Sequence, residues 1–248
     1  MLERDSIELL RADSSHAFPL HSHECFCLGV VDRGRVRFTI GTQEKLLLPG
    51  MIFLIPSNVG VVIEPVERYG YTTICLKNTL RDAMMAYDYP AFFPALGPDG
   101  AARLTALCDA YRAGGAQQNF LAGIDALLAG HRRERPGPGP ADAAVEQAKA
   151  YIRAHTHEKF DLDVLAEVVH LSKYHFIRVF KAQLGVTPHQ YYIQAKIFAA
   201  KRALTQNESE ADVATELNFA DQSHLCRVFK RQMGISMRDF KNSYRKLR

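Results

Sequence analysis

No stretch of this sequence approaches eighteen consecutive apolar residues, and its opening, MLERDS, carries no basic segment followed by an apolar one. The expectation is a protein that neither spans a membrane nor is secreted. Cysteine is scarce as well. Cys25, Cys27, Cys75, Cys108 and Cys226 are odd in number and scattered, in a chain too long to need covalent staples. A disulfide framework does not fit that pattern, and a reducing cytoplasm is the expected home. The 248 residues are enough for two compact domains, each with a substantial core.

Positive charge is short in the first half and in excess in the second. Residues 1–131 hold 11 Lys and Arg against 14 Asp and Glu, a net of −3, whereas residues 132–248 hold 20 against 13, a net of +7. The overall +4 hides this polarity. A basic C-terminal part is what phosphate binding requires, although a solvated basic surface alone has the same composition.

The sequence states one segment twice. His175 to Pro188 reads HFIRVFKAQLGVTP, and His224 to Met237 reads HLCRVFKRQMGISM, with His, Arg, Val, Phe, Lys, Gln and Gly each displaced by 49 residues. An internal repeat of this length means one supersecondary unit used twice. Phe176, Val179, Phe180 and Leu184 recur at helix spacing, as do Leu225, Val228, Phe229 and Met233. Gly185 and Gly234 stand where left-handed residues end helices, and Ser172 and Asp221 stand where N-caps belong. A shorter helical stretch precedes each copy, at 162–169 and 211–217. Two short helices joined by a tight turn, the second basic and capped, describe a helix-turn-helix.

These motifs resemble the DNA-binding domain of the AraC/XylS transcriptional regulators. The residues that carry the resemblance are LSKYHFIRVFKAQLGVTPHQYY at 171–192, AKIFAAKRAL at 195–204 and DQSHLCRVFKRQMG at 221–234. Two departures stand out in the second copy. Asn218 replaces the family's usual Gly, and Ser236-Met237 replaces its usual Thr-Pro. Asn tolerates a left-handed turn position, and Ser236 can still cap the helix that follows.

The resemblance implies that Tyr174, Ile177 and Arg178 of the first copy, and Gln222, Ser223, His224 and Arg227 of the second, read bases. Arg suits guanine and Gln suits adenine, while Tyr174 or Ile177 packs on thymine methyls. Lys173, Lys181, Lys230 and Arg231 are expected at phosphates, where they hold register without specifying sequence. His175 and His224 repeat, which also suits a structural role. Between the two units Pro188 to Leu204 reads as one helix, with Pro188 in its first turn.

Before the linker the pattern changes. Residues 6–77 contain short apolar runs, FCLGVV, RVRFTI, KLLLPGMIFLIP, GVVIEP and YTTICL, broken by Gly, Pro, Asp and Asn, with turns at Gly34 and at Leu48-Pro49-Gly50. They predict a small barrel or sandwich. The order HSH, Gly34, PG and LIPSNV resembles the cupin-like effector domain often found ahead of AraC-type helix-turn-helix pairs. Leu80 to His131 turns helical, with one stripe at Leu104, Leu107, Cys108 and Tyr111 and another at Phe120, Ile124, Leu127 and Leu128. These helices either cover a barrel face or form a dimer seam. Arg132 to Ala141, RRERPGPGPA, is the linker, and a helix at 143–155 opens the last domain. The expected fold class is therefore mixed: a β-barrel domain with trailing helices at 1–131, then an all-α domain of two helix-turn-helix units at 142–248.

His21, His23, Cys25 and Cys27 would share one face of a strand at period two. Such a row could line an effector pocket, ligate a metal or sense oxidants. The late His that completes a cupin enzyme's metal set is missing from residues 56–63, PSNVGVVI, and no further ligand set stands out. A metal-free pocket for a small organic effector is expected, without a cofactor and without catalysis. A thiol- or metal-sensing regulator is the alternative, then a cupin enzyme fused to a DNA reader. The expected partners are promoter DNA, the effector, a second copy of the chain and RNA polymerase.

Overall fold

The structure, a computed structural model, describes residues 2–4, 6–40, 43–93, 97–134 and 139–245. Its strands are β1 (Leu2–Arg4), β2 (Ile7–Ser14), β3 (Phe18–His21), β4 (Phe26–Arg33), β5 (Val36–Ile40), β6 (Gln43–Leu47), β7 (Ile52–Ile55), β8 (Val61–Pro65), β9 (Tyr69–Leu76), β10 (Tyr87–Asp88), β11 (Phe92–Phe93) and β12 (Arg133–Glu134). Its helices are α1 (Asn78–Met85), α2 (Gly97–Arg112), α3 (Gln117–Leu128), α4 (Pro140–Ala154), α5 (Leu162–Val168), α6 (Lys173–Leu184), α7 (Pro188–Thr205), α8 (Glu210–Glu216), α9 (Gln222–Met233) and α10 (Met237–Arg245). Among the described residues no helix is long and apolar enough to cross a membrane.

The chain forms two compact units. One comprises Met1–Ala17, His23–Asn58 and Ile63–Pro136, and the other Phe18–Ser22, Val59–Val62 and Gly137–Arg248. The domain ranges expected from the sequence are contiguous, whereas these units are not.

In the first unit β4 is the hub. The main sheet runs β1-β2-β9-β4-β7-β11, and β5 pairs with β6 in a second sheet. Alternate side chains of the main sheet, Phe26, Leu28 and Val30 of β4 with Ile74 and Leu76 of β9, pack against α2 and α3. Leu104, Cys108 and Tyr111 supply the α2 side of that core, and Phe120, Ile124, Leu127 and Leu128 the α3 side. Both predicted stripes thus cover a sheet face, and a seam between two chains would have to use other residues. Side chains alternate along a strand, so Cys27, Gly29 and Val31 point the opposite way. Gly29 is required there, because a Cβ would stand 2.3 Å from the Phe53 ring. Phe53 in turn lies 4.6 Å from Phe38 of β5, closing the two sheets with aromatic packing.

The second unit holds two cores. Phe176, Phe180 and Leu184 of α6 join Val145, Ala148 and Ile152 of α4 and Leu165 of α5. Leu225, Val228 and Phe229 of α9 join Val213 and Ala214 of α8 and Phe240 of α10. Helix α7 serves both: Tyr191, Tyr192 and Ala195 lie in the first core, and Ile197, Ala200 and Leu204 in the second.

Local signals set the helix ends as expected, with two differences. Gly185 and Gly234 adopt φ of 71° and 74° and end α6 and α9. Asn218 has φ 51°, so it does occupy the left-handed position that Gly usually fills. Ser236 Oγ accepts from Asp239 N at 3.1 Å and caps α10. The Asp221 carboxylate accepts from His224 N at 2.6 Å, but Ser172, at the N-cap position of α6, makes no side-chain cap bond. The second difference is at the linker. Strand β12 pairs with β10, and α4 starts at Pro140, with Gly139 N donating to Asp142 Oδ2 at 2.7 Å. Regular structure therefore enters the expected linker 132–141 from both sides and starts α4 ahead of residue 143. Residues 135–138 lie outside the described residues.

The cap difference has a measurable consequence. Asp221→Ala should lower the unfolding free energy by about 1 kcal/mol, the usual worth of an N-cap, while Ser172→Ala should change it by less than about 0.5 kcal/mol. Phe229→Ala, which empties a fully buried site, should cost roughly 3–5 kcal/mol. Urea unfolding followed by circular dichroism ranks the three.

Candidate nucleic-acid interface

Helix α6 buries Phe176, Phe180 and Leu184, so its remaining faces turn to solvent. Tyr174, Ile177, Arg178 and Lys181 fall at the i, i+3, i+4 and i+7 positions of one such face and border a single shallow groove with Ala182. Tyr174 is 90 % exposed, an unusual state for an aromatic ring with no core to cover. Arg178 and Lys181 are exposed beside it. Lys173 is exposed too, but it is ion-paired to Asp163 of α5. That pair must open, or share its cation, for Lys173 to meet a phosphate.

Helix α9 repeats the arrangement. Leu225, Val228 and Phe229 are buried, and Ser223, Arg227, Lys230 and Arg231 are exposed along the other side. Gln222 is exposed at the N-terminus, with its Nε2 donating to Glu210 Oε2 at 3.1 Å. The bond to α8 restrains a long side chain that would otherwise lose rotamer freedom on meeting a base. His224 departs from the expected outward set. It is half-buried, edge-on to Phe219 with 5.4 Å between ring centroids, and its Nδ1 is buried without a hydrogen-bond partner. His175, its counterpart in the repeat, is exposed. The two copies therefore use the same residue type differently.

The turns differ by one residue. Helix α8 follows α5 at an offset of 48, from Leu162 to Glu210, whereas α9 follows α6 at 49, from Lys173 to Gln222. The additional residue falls between the left-handed Asn218 and the cap Asp221. Lys196 of α7 closes this turn by donating from Nζ to the Asn218 carbonyl at 2.9 Å, under the ring of Phe219 at 4.2 Å. Burial lowers its pKa to about 8. Nothing in the periodicity of the sequence marked Lys196, because Lys at one position of a long helix usually reads as solvated.

The residues expected to line an effector pocket are not one strand face. Strand β3 ends at His21 and β4 begins at Phe26, and a bend separates them. The His21 ring Nδ1 donates to the Pro19 carbonyl at 2.7 Å. His23, Cys25 and Cys27 do come together, with their ligating atoms within 4.8 Å of one another. Cys75, far from them in sequence, joins them at 3.5 Å from Cys27 Sγ. Its signal was unreadable without register, since it depends on β4 and β9 pairing Cys27 with Cys75.

Two helix-turn-helix units built on one shared helix, each with an exposed basic stripe on its second helix, define a DNA-binding protein of the double helix-turn-helix class. A family model described as a helix-turn-helix domain matches residues 165–243, and one described as an AraC-like ligand binding domain matches residues 6–132. The chain belongs to the AraC-type family. It is 25% identical over 213 residues to the HTH-type transcriptional activator RhaS of Pectobacterium atrosepticum, covering 76% of this chain and 74% of that one. Over 48 residues it is 44% identical to the MmsAB operon regulatory protein of Pseudomonas aeruginosa, a match spanning 19% of this chain and only 16% of that protein. The fold is similar to that of ToxT from Vibrio cholerae, with a TM-score of 0.66 at 11% identity over 96% of this chain and 98% of that one.

Exposure separates Arg178, Arg227 and Lys230 from the half-buried His224. Arg178→Ala and Arg227→Ala should each relax preference at a different base position, at a cost of about 1–3 kcal/mol apiece. Lys230→Ala should weaken all sequences alike, and His224→Ala should lower thermal stability more than it alters the selected sequence. Selection from a randomised duplex library, together with melting temperatures, tests all four.

Proposed function

We propose that this protein is a one-component transcription regulator of the cytoplasm, binding a bipartite promoter site through α6 and α9 while its strand-rich unit holds a small organic ligand. The observation that carries the proposal is the pair of exposed basic stripes held by α7. Its 18 residues span about 27 Å, on the scale of the roughly 34 Å between successive major-groove faces. One chain so built can address two adjacent turns of DNA. Binding, rather than catalysis, is the role that these residues support.

The ligand completes the proposal. A DNA reader with both of its helices in place gains from an appended ligand-binding domain only if occupancy changes DNA affinity. That requires a coupling of about 1–3 kcal/mol between the sites. A ToxT structure carries a bound unsaturated fatty acid, which makes fatty acids one class to include in a screen. A second copy of the chain and RNA polymerase are the further partners proposed.

In a mobility-shift titration the full chain should retard its cognate promoter, with affinity falling steeply as salt rises because Lys and Arg release counterions from phosphate. Binding that ignores salt, or that shows no preference among promoter fragments, contradicts the proposal. A metabolite panel scored by thermal shift, then by its effect on the same titration, identifies the ligand class.

A further inference from the structure

Three thiols and an imidazole converge at the entry to β4. The sulfurs of Cys25 and Cys27 are 3.4 Å apart, and those of Cys27 and Cys75 are 3.5 Å apart. The ligating nitrogen of His23 lies within 4.8 Å of the Cys25 and Cys27 sulfurs. Cys27 is buried, and the other three residues are half-buried, so the group is sheltered yet reachable.

The spacing fits a particular occupant. Zinc bonds thiolate sulfur at about 2.3 Å and prefers tetrahedral sites, which places sulfurs about 3.8 Å apart. The two sulfur–sulfur separations need to open by only a few tenths of an ångström, and the His23 ring has to close in toward Cys75. The backbone supports this geometry unevenly. Cys27 and Cys75 are cross-strand partners near one end of the β4–β9 ladder, which fixes them. His23 and Cys25 lie in the bend before β4, where side chains can close on an ion without breaking strand hydrogen bonds. We infer that Cys25, Cys27 and Cys75, with His23 as the nitrogen donor, form a site for a thiophilic divalent cation of the zinc type.

Loading such a site breaks three S–H bonds, forms three metal–sulfur bonds and one metal–nitrogen bond, and sends three protons to solvent. No electron is transferred. Mutual hydrogen bonding, then burial, raises the Cys27 thiol well above its ordinary pKa. Metal must compete with protons for thiol ligands of this kind. The loaded site would carry a net charge of −1; the Arg81 guanidinium, which pairs with Asp82, donates to the Glu24 carbonyl next to Cys25 at 3.4 Å. The inference goes beyond the proposed regulator, because it concerns the strand-rich unit alone and its test needs no DNA.

The test uses the reduced full chain and cobalt(II) as a spectroscopic probe, followed by zinc displacement. One equivalent of cobalt should give thiolate-to-metal charge transfer and the intense visible bands of a tetrahedral ion, with three protons released per ion. Zinc should abolish these bands. Cys25→Ser and Cys75→Ser should remove the charge-transfer signal or sharply reduce it. His23→Gln should weaken binding and keep the charge transfer, and Cys226→Ser should change nothing. Because a buried substitution can unfold the chain, a second measurement uses the unaltered protein. Zinc should slow alkylation of Cys25, Cys27 and Cys75, followed peptide by peptide, and leave that of Cys226 unchanged. A reduced chain that binds neither cobalt nor zinc, or binding that survives Cys75→Ser, overturns the site. Zinc protection limited to Cys226 does so as well.

Discussion

Helix α7 is the constraint on which the DNA-reading half depends, because two hydrophobic cores are built on its two ends. Tyr191, Tyr192 and Ala195 are buried against α4, α5 and α6, and Ile197, Ala200 and Leu204 against α8, α9 and α10. A rigid rod packed at both ends fixes the separation of α6 and α9 to that of its own residues. Its start is secured by a capping box, in which Thr187 and Gln190 exchange side-chain and backbone hydrogen bonds, and by Pro188 in the first turn. Neither core is large. Sharing one helix lets each short helix pair bury a face that it could not bury alone.

The turns within the two units show how position is traded against exposure. His170 and Asn218 both take left-handed backbone, at φ 54° and 51°. Asn does so at little cost, and the conformation is less usual for His. The second turn is longer by a residue, and Lys196 reaches from α7 to hold its carbonyl. Burying a cation is expensive unless something replaces its water. Here the Asn218 oxygen and the faces of Phe219 and Tyr192 do so.

In the strand-rich unit, alternation along β4 divides the labour. One face, Phe26, Leu28 and Val30, is consumed by the helical core. The other carries Cys27, then Gly29, whose missing side chain admits Phe53, then Val31. Polarizable sulfur at the start of that face and aromatic rings beyond it leave the thiols gathered at one end of the strand.

The sequence by itself determined the features that are local. The doubled motif, the glycines ending α6 and α9, the Asp221 cap, the buried phenylalanines and the basic stripes were all legible, since helix period, caps and stops act within a few residues. The strand-rich class was legible from its spaced apolar runs, but not its pairing. A strand's partner is chosen by contacts tens of residues away, so Cys75 beside Cys27 had no local signature. The single face imagined for His21, His23, Cys25 and Cys27 failed for a related reason. Period two holds only while the chain stays extended, and the bend before Phe26 ends it. Tertiary structure likewise turned His224 against the edge of Phe219 and left His175 outside; the first turn has Leu171 where the second has that ring.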